Sequence, residues 1–140
     1  LMSLDESVDL VKHAFLHAEP GDLFVKKAPA CTVHTLAVAV AELMGVEPDL
    51  RRIGIRHGEK MYETLLSREE MVKAEDQGDY FRVPLDARSL DYSKYVEDGE
   101  DDAAAAEDYD STNTTQLDVE QTKALIAALP EMQQVMEARR

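Results

Sequence analysis

Apolar side chains alternate between helical and strand-like spacing along the first 45 residues, and this alternation constrains the fold more than any other feature. A first helix is predicted by apolar residues at steps of four and three, the spacing of one helical face: Leu4, Val8, Val11, Phe15 and Ala18. The Pro-Gly pair at 20–21 ends that helix, and residues 22–26 are typical of a short buried strand. A second helix is predicted between Thr32, a favoured N-cap residue, and Gly45, a favoured C-terminal stop. Short strands that alternate with helices indicate an α/β domain.

Turn and capping residues predict further elements in the rest of the chain. Ser67 opens a capping-box sequence, so a helical turn is expected to start there. Residues 80–85 alternate weakly and contain Pro84, which predicts an edge strand at best. Asp118 can cap a terminal helix, and Pro130 limits that helix.

The composition changes at residues 97–110, where acidic residues and alanine form a low-complexity run. Such a run cannot bury apolar area, so a mobile acidic linker is predicted there. The linker divides the chain into a domain of residues 1–96 and a C-terminal extension of residues 111–140 that carries the terminal helix.

Charge and cysteine content disfavour several classes of partner. Lys and Arg number 15 against 29 Asp and Glu, a formal net charge of −14, which argues against binding to nucleic acid or to an anionic membrane. No apolar run approaches the roughly 20 residues that span a bilayer, and no signal peptide is recognised. The single Cys31 allows no internal disulfide, which suits a reducing, cytoplasmic compartment. Because Leu1 stands inside what looks like a structured segment, the chain is predicted to be a piece of a longer protein.

A turn around Arg56 is the strongest candidate for a functional site. Residues 50–56 are predicted to form a strand that ends at this arginine, and residues 59–66 are predicted to form a short helix just after it. Free N–H groups and the dipole at a helix start favour an anion, and arginine can bind a phosphate bidentately. Glu59 can either complement the helix dipole or accept hydrogen bonds from a ribose diol. The alternative interpretation of Arg56 is a surface ion pair.

Patterns for cofactor and metal sites are absent from the sequence. No strand pattern leads into a G-x-G-x-x-G turn, so no cofactor-binding residue is assigned. No Tyr-x-x-x-Lys pair stands on a long helix, so no catalytic residue is assigned either. His13 and His17 have a spacing that metal sites use, but no third ligand is evident. A solvated polar helix face is the preferred interpretation of these two histidines, and no metal is predicted.

Five segments together resemble a known enzyme family. Residues 3–11, S-L-D-E-S-V-D-L-V, resemble the segment that follows the cofactor domain in extended short-chain dehydrogenase/reductases. Four more resemble the capsular-polysaccharide branch of that family: D-L-F-V-K-K-A-P-A at 22–30, G-I-R-H-G-E-K-M-Y-E-T-L-L at 54–66, G-D-Y-F-R-V-P-L-D at 78–86 and S-T-N-T-T-Q-L-D-V-E at 111–120. In order and spacing they are similar to the C-terminal part of a UDP-N-acetylglucosamine 4,6-dehydratase/epimerase.

The resemblance implies a small C-terminal substrate-binding domain that works with a Rossmann domain outside this chain. In that family the Rossmann domain holds NAD(P) and the catalytic Tyr and Lys, and the smaller domain binds the nucleotide-sugar. The implied reaction removes a hydride from C4, loses water across C5–C6 and returns the hydride, in surface or capsular polysaccharide synthesis. The expected partners are therefore a UDP-sugar, the missing Rossmann domain and a second subunit, and this chain alone is expected to be inert.

Residue by residue, the resemblance assigns roles within one segment. Arg56 matches the arginine expected on the UDP diphosphate, and Glu59 matches the acidic residue expected near the ribose hydroxyls. Lys60 and Tyr62 lie on the same turn and are further substrate-binding candidates. His57 stands where the family usually has proline, which would fix φ, so a looser turn is expected here.

A freestanding, non-catalytic module that binds a nucleotide-sugar or a protein is the alternative function. The hexose epimer, the choice between NAD and NADP, and inversion at C5 stay open at the level of sequence. A domain separated from its partner is also expected to expose apolar patches.

Overall fold

The computed structural model describes residues 1–85 and 107–139 as short helices and two small sheets. Its helices are α1 (Leu4–His17), α2 (Val33–Leu43), α3 (Arg68–Met71), α4 (Val119–Ala127) and α5 (Pro130–Ala138). Its strands are β1 (Leu23–Lys26), β2 (Thr64–Leu66), β3 (Glu75–Asp76), β4 (Tyr80–Val83) and β5 (Tyr109–Asp110). The predicted α/β class, with short strands between helices, is confirmed.

Both sheets are antiparallel. One has three strands in the order β1–β4–β3, with Leu23 opposite Val83, and the other pairs β2 with β5. The prediction that residues 80–85 form at best an edge strand is wrong, because β4 lies between β1 and β3. Pro84 follows the last residue of β4, so its missing N–H removes no hydrogen bond from the ladder.

Helix starts follow the predicted capping residues. The Thr32 side chain accepts a backbone hydrogen bond of 3.0 Å at the start of α2. Ser67 and Glu70 form both bonds of a capping box at α3, and Asp118 caps α4 in the same way. Pro130 limits α4 as predicted, and it also begins α5, which the sequence pattern did not predict.

The core is small and lies where the two sheets meet. Leu66, Val83 and Tyr109 form a buried cluster, in which Leu66 has no exposed surface. The rings of Phe81 and Tyr109 meet edge-on with centroids 5.1 Å apart. Because Leu66 and Tyr109 belong to the β2–β5 pair and Val83 belongs to β4, this cluster joins the two sheets.

A second buried contact joins α2 to α4. Ala39 on α2 and Thr122 on α4 have no exposed surface. The buried Thr122 hydroxyl donates to the Asp118 carbonyl at 2.7 Å, so its polar group is satisfied. At the edge of the contact, Lys123 Nζ lies 2.9 Å from a Glu42 carboxylate oxygen. The C-terminal helices are therefore packed on the first half of the chain.

Most of the predicted acidic linker, residues 97–106, lies outside the described residues. Its last two residues form β5, a strand that the low-complexity pattern did not predict. The Asp110 carboxylate accepts hydrogen bonds of 2.7 Å and 2.6 Å from Thr112, and these bonds hold the pKa of Asp110 below its ordinary value. The division into residues 1–96 and 111–140 stays a prediction.

Helix α1 meets the sheet with a face that the sequence pattern did not select. His13 stacks on Tyr80 with ring centroids 4.2 Å apart and meets Phe24 edge-on at 5.2 Å. The polar-face interpretation is therefore wrong for His13, whose Nε2 is buried without a hydrogen-bond partner; His17 is exposed. The predicted apolar stripe of α1 is exposed instead, which confirms the expectation of exposed apolar patches.

Arg82 in β4 ties the three-stranded sheet together. Its Nε donates to Asp22 at 2.6 Å, and its Nη1 donates to Glu75 in β3 at 3.2 Å. Only 2% of the Asp22 side chain is exposed. The hydrogen bond from Arg82, with a second one from the Glu19 N–H, holds the pKa of Asp22 below its ordinary value of 3.8.

Asp22→Asn is expected to destabilise the protein at neutral pH and to lose that effect in acid. A carboxyl group whose pKa falls on folding stabilises the folded state above its unfolded pKa, and this contribution disappears as the pH falls through the folded pKa. The unfolding free energies of wild type and variant should therefore begin to converge below about pH 4 and meet as the pH falls through the folded pKa of Asp22. Urea denaturation of both proteins across this range checks the prediction, with the 62% exposed Asp9 changed to Asn as the control. A pH-independent difference between wild type and Asp22→Asn would contradict it.

Candidate functional site

The predicted site around Arg56 is a tight turn on the surface. The Arg56 N–H donates to Glu59 Oε2 at 2.9 Å, and the Glu59 N–H donates to the Arg56 carbonyl at 3.1 Å. Gly58 has a φ of +88°, which a side chain would strain, so glycine suits this position. The Arg56 Nε lies 4.0 Å from Glu59 Oε1, and 76% of the Arg56 side chain is exposed. Local hydrogen bonds thus fix the backbone while the guanidinium stays accessible.

The strand predicted before this turn and the helix predicted after it are both wrong. Residues 50–56 form no strand, and Gly54 within them has a φ of +80°, outside the extended region. No helix forms at residues 59–66, because Thr64–Leu66 become strand β2 and pair with β5. A helix this short has little stability of its own, so the pairing outweighs helix propensity. An anion at this turn would therefore meet side chains and turn amides, without a helix dipole.

A cavity of about 840 Å³ adjoins the turn. One wall is α2, and the other is the loop of residues 49–55 together with Met61. Arg56 directly follows the lining loop and is not itself part of the lining. A concave, largely apolar space with a few polar groups is the usual form of a small-molecule site.

Two cationic residues that sequence reasoning did not single out also line this cavity. Arg51 and Arg52 belong to its loop wall, and both are exposed. With Arg56 they place three arginines within six residues of a chain whose net charge is −14. That concentration of positive charge was visible in the sequence and would have pointed to both residues.

The four predicted substrate-binding residues lie on one exposed stretch of chain. Lys60 and Tyr62 are exposed, and Met61 between them lines the cavity. Within the described part of the chain, Arg56 and Glu59 are the members of this set that hydrogen-bond to each other. None of the four residues lines the cavity; Arg56 follows Ile55, and Lys60 and Tyr62 flank Met61, and those two neighbours do line it.

Acidic residues elsewhere in residues 1–85 and 107–139 do not form a metal centre. A pocket of about 610 Å³ between α3 and the turn after β5 is lined by Glu69, Glu107, Asp108 and Asp110, among others. Asp108 already accepts a hydrogen bond of 2.8 Å from the Arg68 N–H. Among residues 1–85 and 107–139, no group of three or more His, Cys, Asp or Glu side chains is placed to hold an ion. Over the same ranges, none of the helices has the length and apolar character needed to cross a bilayer.

Comparison with known proteins defines the class to which this fold belongs. Residues 1–85 match the profile of a family described as polysaccharide biosynthesis protein, and residues 86–133 match one described as polysaccharide biosynthesis protein C-terminal. The chain belongs to the polysaccharide biosynthesis protein family. It corresponds to a C-terminal part of an extended short-chain dehydrogenase/reductase.

Individual relatives agree with this assignment. The chain is 52% identical to the UDP-glucose 4-epimerase of Rickettsia felis and 50% identical to that of Rickettsia akari, in both cases over 96% of its length. The crystal structure of Pen from Bacillus thuringiensis has the same fold, with a TM-score of 0.67 and 26% identity over 91% of this chain and 36% of that one. The chain spans 39% of the length of the two epimerases.

Proposed function

We propose that this chain binds the UDP part of a UDP-N-acetylhexosamine as the C-terminal portion of a nucleotide-sugar 4,6-dehydratase/epimerase. The observation that carries the proposal is the exposed Arg56 guanidinium on a hydrogen-bonded turn beside a cavity of about 840 Å³. The enzyme would act in the synthesis of surface or capsular polysaccharide precursors, in the cytoplasm.

Each side chain of the turn has a chemical part in this proposal. Arg56 binds the diphosphate, since a guanidinium can donate two parallel hydrogen bonds to phosphate oxygens. Lys60 adds a second positive charge on the same stretch. Glu59 Oε2 accepts the Arg56 N–H, and the carboxylate has further lone pairs that would accept from the ribose hydroxyls. Tyr62 offers a half-exposed aromatic ring at the same edge.

The cavity beside the turn suits the rest of the ligand. Its loop wall carries Arg51 and Arg52, which extend the positive charge from Arg56 along one side. Its α2 wall is mostly apolar and supplies Val33 and Ala37. The loop wall also carries Asp49 and the apolar Leu50, Ile53 and Ile55. A nucleotide-sugar combines a charged diphosphate with a flat base, so two arginines within a mostly apolar lining suit both parts.

The substrate class rests on two kinds of support. The relatives' name, UDP-glucose 4-epimerase, supports a UDP-linked hexose. The N-acetyl group and the 4,6-dehydratase branch are our proposal from the resemblance of residues 22–30, 54–66, 78–86 and 111–120.

The described residues do not fit NAD(P). Between β1 and α2 the chain runs through residues 27–32, which include no glycine, so the strand–glycine turn–helix unit that cradles a dinucleotide is missing there. We therefore propose that the cofactor, which supplies the hydride acceptor, is bound by a Rossmann domain in the remainder of the enzyme. The full enzyme is proposed to be a homo-oligomer.

Arg56→Ala is expected to abolish the thermal stabilisation that UDP gives to the enzyme. A ligand that binds only the folded state raises the melting temperature according to its concentration relative to Kd. The test protein is a chimera in which this chain replaces the matched 134 residues of the Rickettsia felis relative. Differential scanning fluorimetry with UDP at about 1 mM measures the shift.

Two controls make this test specific. Arg68→Ala removes an arginine of similar exposure, 66% against 76%, that pairs with Glu69 away from the cavity, and it should keep the shift. UMP should give a smaller shift than UDP, because it lacks the second phosphate. A full UDP shift in Arg56→Ala would remove Arg56 from the binding site.

A further inference from the structure

Helix α1 has an inner and an outer face, and the described residues cover the inner face and leave the outer one exposed. The inner face packs on the three-stranded sheet through His13, which stacks on Tyr80 at 4.2 Å. On the same face, Glu6 pairs with Lys26 of β1 at 3.4 Å. The outer face carries the apolar stripe and is exposed: Leu4 76%, Val8 46%, Val11 54% and Phe15 87%.

The helix cannot bury this stripe by rolling on the sheet. Rotation would break the His13 stack and separate Glu6 from Lys26. The Ser3 capping box also fixes Glu6, whose carboxylate accepts the Ser3 N–H at 2.8 Å. A helix that is packed on one side and apolar on the other is the kind found between two layers. A second layer must therefore come from outside the described residues.

The size and charge of the surface argue against a second copy of this chain as that layer. A stable association of separate chains buries about 800 Å² on each partner, and one face of a 14-residue helix supplies only part of that area. Two chains of net charge −14 would also repel each other. An interface inside one polypeptide can be smaller, because the tether holds its two sides at high effective concentration.

We infer that the Leu4–Val8–Val11–Phe15 face of α1 is the docking surface for the nucleotide-binding domain of the enzyme. The relatives supply the missing layer, because 61% of their length lies beyond the region they share with this chain, as 100 − 39 = 61. This inference rests on the proposed function only in taking that remaining part to be a Rossmann domain. It does not depend on UDP or on Arg56.

Cysteine labelling in the same chimera tests the inference. In a Cys31→Ser background, Phe15→Cys places a thiol at the most exposed position of the proposed interface, and Asp9→Cys places one on the polar side of α1, where the side chain is 62% exposed. In the chimera, Phe15→Cys should react with a maleimide about tenfold or more slowly than Asp9→Cys, because labelling then requires local opening. In the 140-residue chain by itself, the two thiols should react at similar rates.

Two outcomes would overturn the inference. Similar rates in the chimera would show that the face stays open in the enzyme. If Phe15→Cys in the 140-residue chain is labelled slowly, and its labelling rate falls further as the protein concentration rises, the face belongs to a second copy. If the chimera does not fold, the N-terminal part of the Rickettsia felis relative is added in trans to the labelled chain, and the same comparison decides. The labelling is done without UDP, so its result is independent of the melting experiment. Slow labelling of Phe15→Cys in a chimera whose melting temperature UDP does not raise would keep this interface and reject the proposed ligand.

Discussion

Leu66→Ala is expected to lower the free energy of unfolding by about 2–5 kcal/mol. Leu66 has no exposed surface and packs against Val83 and Tyr109, where the β2–β5 pair meets the three-stranded sheet. Truncation removes buried methyl groups and leaves a cavity in a core that has few other large side chains. Urea denaturation followed by circular dichroism measures the loss.

The neighbouring residue provides a matched control. Leu65 lies on the same strand with its side chain on the opposite face, and it is 42% exposed. Leu65→Ala removes the same atoms from a partly solvated site, so the expected loss is below about 1 kcal/mol. Equal losses for the two variants would show that the Leu66 cluster is not the core of the fold.

Ala39→Leu is expected to destabilise the protein by about 1–3 kcal/mol through overpacking. Ala39 has no exposed surface on α2, the helix that packs on α4. Three extra carbon atoms have no space there, so α2 must move away from α4 or the side chain must leave its preferred rotamer. Thermal denaturation should show a lower melting temperature than that of wild type.

The control for overpacking is an exposed alanine on the partner helix. Ala124 lies on α4 and faces solvent, so Ala124→Leu adds the same atoms without a clash. Its stability should stay within about 0.5 kcal/mol of wild type, since alanine and leucine have similar helix propensity. A stability of Ala39→Leu equal to that of Ala124→Leu would contradict close packing between α2 and α4.

Features governed by neighbours in sequence could be predicted. The caps at Thr32, Ser67 and Asp118 depend on side chains that reach the backbone three residues away, and all three are present. Apolar spacing predicted the helices that begin after Thr32 and Asp118, and the capping-box sequence predicted the short one after Ser67. The strand at residues 23–26 was also predictable, because a short apolar run between turn residues has few alternatives.

Features governed by distant partners could not be predicted. Residues 64–66 favour a helix locally and become a strand because β5, more than 40 residues later, pairs with them. The apolar stripe of α1 was identified correctly as a face, but periodicity does not say which neighbour covers a face. His13 shows the same limit, because only the folded sheet brings Tyr80 beneath its ring.

The binding roles of Arg56 and Glu59 stay predictions, and the strand and helix predicted around them are wrong. The sequence assigned separate roles to Arg56 and Glu59, and the structure joins the two residues by hydrogen bonds within one turn. The expected helix dipole is absent, because Gly54 and Gly58 shape an irregular loop. The α2 wall of the cavity comes from residues about 20 positions earlier, which no local pattern connects to Arg56.

The pairing of β2 with β5 makes the two family-profile segments inseparable. β2 lies in the segment of residues 1–85, and β5 lies in the segment of residues 86–133. The backbone of Ala30 adds a second link, donating to Thr115 at 2.8 Å and accepting from Leu117 at 2.7 Å. Truncation between the segments would uncover Leu66 and leave unpaired strand edges prone to aggregation. Expression boundaries that keep both segments are therefore expected to give a better-behaved protein than a cut between them.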